Sequence, residues 1–207
     1  MNHPSDVRTS TPLDEWLAKL GRSTGAPGGG AASGVMLGIA ASLLSMVAAY
    51  THDDPCAAER GRRVARLRGE ALQGAKSDGI VSAEFGAALA LPADDRDRDA
   101  RVCAAAVCAA ESAARLGAVG IALLSEMRVL RDIGNRSQSA DLAVAAGALY
   151  AGLSGSSINL RANLRTARAH HASAAALAEL HVDAARLAEA QQSTARIAEE
   201  LSAEFDD

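Results

Sequence analysis

Three adjacent glycines, Gly28, Gly29 and Gly30, directly follow Pro27 near the amino terminus. Glycine has no Cβ, so backbone N–H groups in such a run can turn outward and approach a ligand closely. The apolar run behind them predicts a helix whose positive dipole end faces the same place. The pattern indicates a site for an anion or a polar heterocycle, although glycine runs are also common as flexible connectors.

A second set of polar side chains lies on a helix predicted from about Ser139 to His170. Asn159 and Asn163 are four residues apart and face the same way. Asp141 precedes Asn159 by 18 residues, five full turns, so all three can share a face. A fixed carboxylate stabilises a cation and accepts a proton, and amides orient a substrate. The alternative for Asp141 is a first-turn carboxylate that offsets the helix dipole.

The composition predicts an all-α protein. Aromatic residues make up 2% of the 207-residue chain, so its core must be built from Ala, Leu, Val and Ile, which favours closely packed helices over a sheet. We expect a mobile tail over residues 1–11 and one helical domain over 12–207, a multi-helix bundle around a central apolar Ala/Gly-rich helix. The predicted helices span about 13–20, 30–50, 55–75, 78–91, 95–116, 119–133, 139–170 and 173–205, with breaks at Ser77–Asp78 and at Gly117.

Charge and motif content exclude several classes of protein. The 21 basic and 25 acidic residues are mixed along the chain, which argues against a nucleic-acid partner. The uncharged run from Ser23 to Thr51 is rich in Ala, Gly and Ser and lacks a flanking basic cluster, so we interpret it as a buried helix and not a membrane span. No secretory signal pattern is present at the amino terminus, and we expect a cytoplasmic protein. Spacing indicates no metal, P-loop or dinucleotide site.

Four segments in unbroken order resemble the cyclodeaminase/cyclohydrolase family, over about Leu13 to Leu164. They are PGGG, an apolar helix ending in SMVAAYT, an acidic residue fourteen positions before the proline of a Leu-Pro pair, and GNRSQSADLAV followed by INLRANL. This is the helical domain at the carboxyl end of formiminotransferase-cyclodeaminase, which also occurs as free-standing methenyltetrahydrofolate cyclohydrolases.

The resemblance implies a dimeric helical enzyme that acts on one-carbon units carried by tetrahydrofolate, with no metal and no tightly bound cofactor. It implies catalytic carboxylates at Asp78 and Asp141. The residues implied for substrate binding are Gly28, Gly29, Gly30, Asn135, Asn159, Asn163 and Arg161. Arg161, with Arg165 and Arg168, forms a stripe that either receives folate carboxylates or, as we prefer, pairs with acidic residues of the last helix or of a partner subunit.

The sequence also departs from the family pattern. Ala31 follows the glycines where Ser is usual, the usual Lys after the first apolar helix is missing, and Ser82 stands where an aromatic residue is expected. Three hypotheses follow. The first is a folate enzyme, a cyclohydrolase in preference to a cyclodeaminase because no transferase domain is attached. The second is a repurposed relative that performs a cyclisation, dehydration or addition on a non-folate substrate, and the third is a binding protein without catalysis.

Overall fold

The computed structural model describes residues 11–23 and 26–206. Six α-helices and one turn of 3₁₀ helix, Arg136–Gln138, make up the regular structure of those residues, without a strand. The predicted all-α class is therefore confirmed, while most of the predicted tail, residues 1–10, lies outside the described residues. The helices are α1 Leu13–Leu20, α2 Gly29–Tyr50, α3 Pro55–Leu89, α4 Arg98–Ile133, α5 Ser139–Ala169 and α6 Ala174–Ala203.

Two predicted helix breaks are wrong, because tertiary contacts satisfy the residues that suggested them. Asp78 is not an N-cap: α3 runs through it, and its carboxylate accepts a hydrogen bond from α2 instead. Gly117 lies inside α4, where a Cβ would come within 2.5 Å of the Leu187 side chain in α6. This glycine therefore serves close packing between two helices and does not end one.

Small residues bring α2 close to α3 on one side and to α5 on the other. A Cβ on Gly34 would lie 2.8 Å from the Ala71 carbonyl oxygen of α3. On α5, a Cβ on Gly152 would lie 2.6 Å from Leu37, and one on Gly155 would lie 2.2 Å from the Ser33 hydroxyl. The helices α2 and α5 are therefore antiparallel neighbours, and the amino end of α2 lies beside the carboxyl half of α5.

One continuous cluster of buried Ala and Leu side chains joins α2, α3, α4, α5 and α6. Helix α1 is attached differently. Of the apolar residues along it, Trp16 is buried but Leu13 and Leu17 are 65% and 52% exposed. Trp16 is therefore the main anchor of this short helix.

By length and composition alone, α2 and α4 would each suffice to cross a membrane. In each of them 56% of the most apolar window is buried inside the protein, and the core helix of a soluble protein passes the same test. Their apolar character is thus weak evidence for a membrane span.

Candidate active site

The Asp78 carboxylate is held at the first turn of α2. Its Oδ2 accepts a hydrogen bond from the Ala31 backbone N–H at 3.0 Å and another from the Ser82 hydroxyl at 3.3 Å. A Cβ on Gly30 would lie 2.1 Å from Oδ1 of the same carboxylate. Only glycine at position 30 lets the carboxylate of Asp78 lie this close to the backbone of α2. The close approach therefore explains why residue 30 is a glycine.

Burial raises the pKa of Asp78, and the hydrogen bonds from the Ala31 N–H and the Ser82 hydroxyl oppose that shift without cancelling it. A carboxyl group with a raised pKa exchanges protons more readily near neutral pH than an exposed Asp does. Asp78 thus has the property expected of a general acid or base.

The first turn of α2 also presents backbone donors. Gly28 is the N-cap residue in an extended conformation, and no side chain caps the helix. Within the described part of the chain, the N–H groups of Gly29 and Gly30 have no hydrogen-bond partner, as is usual for the first turn of a helix. They provide two donors beside one carboxylate, close to the positive end of the helix dipole.

Helix α5 brings Asn159 to the same place. A Cβ on Gly29 would lie 3.6 Å from both polar atoms of the Asn159 amide, so this side chain lies over the glycine turn. Residues from α2, α3 and α5, far apart in sequence, therefore bring an amide, a carboxylate and two free N–H groups together in one small region.

Asn163 and Arg161 lie one turn or less beyond Asn159 on α5. Asn163 is half-buried and on the same helical face as Asn159. Arg161 is exposed, and its Nε donates to the Ser157 carbonyl oxygen of its own helix. Of the predicted stripe, neither Arg161 nor Arg165 nor Arg168 forms an ion pair with α6 or with any other described residue. Pairing with the last helix of the same chain is therefore wrong, and pairing with a partner subunit stays a prediction.

Asn135 lies in a second region, at the other end of α2. Its amide Nδ2 donates to the Tyr50 carbonyl oxygen at 3.2 Å, and its backbone N–H donates to the Thr51 hydroxyl at 3.1 Å. Its Oδ1 accepts from the N–H of Ser137 and so caps the 3₁₀ turn. These contacts hold the α4–α5 connection against the end of α2. Asn135, which was predicted to bind substrate, therefore has a structural role in this chain.

Asp141 belongs to that second region. It lies in the first turn of α5, whose N-cap is Gln138. It does share a helical face with Asn159, as predicted, but the 18 intervening residues separate the two by about 27 Å along a continuous helix. Within one chain the two carboxylates predicted to be catalytic are therefore at opposite ends of α2.

Two cavities lined by described residues do not coincide with the Asp78 region. One of about 530 Å³ lies at the second region and is lined by Asn135, Ser139 and Arg136, among others. Another of about 800 Å³ is an open groove between α3 and α4, and none of the predicted site residues lines it. We give the Asp78 region more weight than either cavity, because it combines a raised pKa with convergent hydrogen-bonding groups.

Sequence reasoning missed two partners of Asp78. Ser82 is four residues after it, one helical turn away, so the spacing alone could have paired them had α3 not been divided in two. The Ala31 N–H carries no sequence signal, because its role depends on how α2 approaches α3. The described residues contain no cluster of three or more His, Cys, Asp or Glu that could hold a metal ion.

Comparison with known proteins supports the resemblance seen in the sequence. The family model for formiminotransferase-cyclodeaminase matches residues 12–182. The fold is similar to that of formiminotetrahydrofolate cyclodeaminase from Thermotoga maritima, with a TM-score of 0.76 and 21% identity, covering 93% of this chain and 98% of that one. No curated protein matches the chain significantly. A match over most of the sequence and a shared helical fold lead to one conclusion: the chain belongs to the formiminotransferase-cyclodeaminase family.

Proposed function

We propose that the protein is a folate one-carbon enzyme, a 5,10-methenyltetrahydrofolate cyclohydrolase or a formimidoyltetrahydrofolate cyclodeaminase. The observation that carries the proposal is the Asp78 carboxylate, which has a raised pKa and lies beside the free N–H groups of Gly29 and Gly30 and the Asn159 amide. Family membership supplies the substrate class. The protein works without a metal or a tightly bound cofactor, in the cytoplasm.

Both reactions suit this arrangement. In the cyclohydrolase reaction, water adds to a cationic carbon that bridges two folate nitrogens and loses one proton to a base. One carbon–nitrogen bond then breaks as the remaining hydroxyl proton passes to the departing nitrogen, which leaves a formyl group on the other nitrogen. In the cyclodeaminase reaction, a folate nitrogen attacks the formimino carbon and ammonia leaves. Asp78 stabilises the cation and accepts the proton, while the N–H groups of α2 and the Asn159 amide orient the substrate.

The direct test measures both activities of the purified protein. Loss of the near-ultraviolet absorbance of 5,10-methenyltetrahydrofolate reports cyclohydrolase activity, and ammonia release from 5-formimidoyltetrahydrofolate reports cyclodeaminase activity. We expect one of them above the rate in buffer, and a loss of about 10²-fold or more in Asp78→Asn. Absence of both turnover and folate-induced thermal stabilisation would remove the folate proposal.

We further propose a homodimer formed through α2 and α5. Several large apolar side chains on these two helices are exposed, among them Ile39, Val144 and Ile158. Large exposed apolar side chains on two neighbouring helices are expected where another subunit covers them. A twofold axis that crosses α2 near its middle would place the Asp78 region of one subunit beside the Asp141 region of its partner, and both carboxylates would then serve one substrate.

A non-folate substrate is the second candidate, and specific side chains favour it. Asp78 has Ser82 as its partner where the family resemblance leads us to expect an aromatic residue. Ala31, which replaces the usual Ser, is fully buried against Trp16 and presents no hydroxyl to a ligand. If folates neither turn over nor bind while Asp78→Asn still abolishes thermal stabilisation by another cyclic amidine or imine, this second candidate is the correct one.

A further inference from the structure

Trp16 carries a buried hydrogen-bond donor without an acceptor. Its side chain is only 6% exposed, and the indole Nε1 has no hydrogen-bond partner among the residues that the structure describes. A buried Trp normally finds a partner for this N–H, because the group otherwise gives up its water and receives nothing in return. The unpaired indole N–H is unusual in this protein, because nearly all other buried polar side-chain atoms of the described residues have a hydrogen-bond partner.

The position of Trp16 suggests where the acceptor comes from. Its ring packs against Ala31 and Ala75. Ala31 is the residue whose N–H donates to Asp78, and Ala75 precedes Asp78 by one turn of α3. The indole therefore packs at the first turn of α2, against the residue whose N–H donates to the Asp78 carboxylate.

Helix α1 is also the least firmly attached helix of the described fold. It has eight residues, and Trp16 is its only buried side chain. Leu13 and Leu17 already project into solvent, so movement of the helix would newly expose mainly Trp16, the half-buried Leu20 and the apolar side chains beneath them. A movable element that covers an active site is a common way to admit a substrate and then exclude water.

We propose that α1 is a lid over the Asp78 region and that Trp16 is a ligand-binding residue carried on it. The lid opens to admit the substrate, and on closing the indole N–H donates to an acceptor of the ligand, a carbonyl oxygen or an unprotonated ring nitrogen. Asp78 meanwhile faces the cationic or N–H part of the same ligand. This inference rests on the proposed function for the location of the site and for the class of ligand.

The test exploits the fact that Trp16 is the only tryptophan of the chain. Its indole N–H gives a single resonance in a ¹⁵N-correlated spectrum, without an assignment problem. The probe is 5-formyltetrahydrofolate, a stable folate with a carbonyl acceptor, and its affinity is measured by calorimetry. The variants are Trp16→Phe, which keeps an aromatic ring and removes the donor, and Leu17→Ala, a matched control at an exposed position of α1.

We expect the probe to shift the indole resonance downfield. Trp16→Phe should weaken binding by about two- to tenfold, the effect of one neutral hydrogen bond, and Leu17→Ala should leave it unchanged. In the free protein, the indole N–H should exchange with deuterium faster than the backbone amides of the α2 core, because opening of α1 requires no global unfolding.

Two results would overturn the inference while leaving the folate function intact. One is unchanged affinity in Trp16→Phe together with an unmoved indole resonance in a wild-type protein that binds the probe. The other is indole exchange no faster than that of the α2 core, which would mean that α1 does not open. If the wild type neither binds the probe nor turns over folates, the proposed function fails and the donor role of Trp16 fails with it, while the exchange measurement still decides whether α1 moves.

Discussion

Replacement of Gly30 by alanine tests whether the position of the Asp78 carboxylate matters for function. The added Cβ would lie 2.1 Å from Oδ1 and 2.4 Å from Cγ of Asp78, whereas ordinary contacts begin near 3.4 Å. The carboxylate must therefore retreat by roughly 1 Å, a displacement that can cost about 10²-fold in rate when it affects a catalytic group. We expect a loss of that size in kcat/KM.

The effect on stability should be much smaller. The retreat weakens the hydrogen bond from the Ala31 N–H to Asp78, a loss of about 1.5–3 kcal/mol for a bond to a charged group. It also relieves part of the burial of that charge, and alanine favours a helix over glycine by up to about 1 kcal/mol. These contributions oppose one another, so the melting temperature should change by only a few degrees.

Two neighbouring substitutions serve as controls. A Cβ on Gly29 would lie 3.6 Å from the Asn159 amide, an ordinary contact, so Gly29→Ala should keep most of its activity. Gly69 is an exposed residue inside α3 with nothing within 4 Å of its Cβ position, so Gly69→Ala should raise the melting temperature slightly and leave the rate unchanged.

The assay is the absorbance change of 5,10-methenyltetrahydrofolate, with differential scanning fluorimetry on the same samples. Full activity in Gly30→Ala, beside an unchanged rate in Gly69→Ala, would refute the reasoning, because a carboxylate that tolerates such a displacement does not act on the substrate. Equal losses in the Gly29 and Gly30 variants would instead point to the backbone of the glycine turn and not to Asp78.

Three further predictions concern the charges and the assembly. Burial raises the pKa of Asp78 in the folded protein. Asp78 therefore contributes its full stabilisation below the unfolded pKa of about 3.9, where it is protonated, and that contribution is lost as pH rises through the pKa of the folded protein. Asp78→Asn should therefore melt above the wild type at pH 7 and converge with it in acid, and a difference that stays constant between pH 3 and 8 would show that burial is not the cause. Asp141→Asn should lower turnover by about 10²-fold or more while the melting temperature shifts by only a few degrees, whereas unchanged turnover with lost stability would make Asp141 a helix-start residue. Light scattering should give twice the chain mass of 21.1 kDa, and Ile39→Glu should reduce it to one chain; a wild-type mass near 21.1 kDa at every concentration would exclude the dimer.

Most helix boundaries could be read from local sequence. Pro55 begins α3 with Asp54 as its N-cap, Gly134 follows α4, and Ser173 caps α6, each for reasons that involve only neighbouring residues. Local reasoning failed where a residue typical of helix ends has a distant partner. Asp78 and Gly117 are such residues, since their contacts are with α2 and α6.

The candidate site shows the same division. The sequence by itself determined that the protein is helical, which family it belongs to, and that Gly28 to Gly30, Asp78 and Asn159 are candidate site residues, because helix periodicity and motif spacing are properties of the order of residues along the chain. Only the tertiary structure decided that these residues meet at the first turn of α2 while Asn135 and Asp141 lie near its other end. The physical reason is that two helices come close only where small side chains let their backbones approach. Gly30, Gly34 and Gly155 allow such an approach only because another helix packs against each of them in the fold.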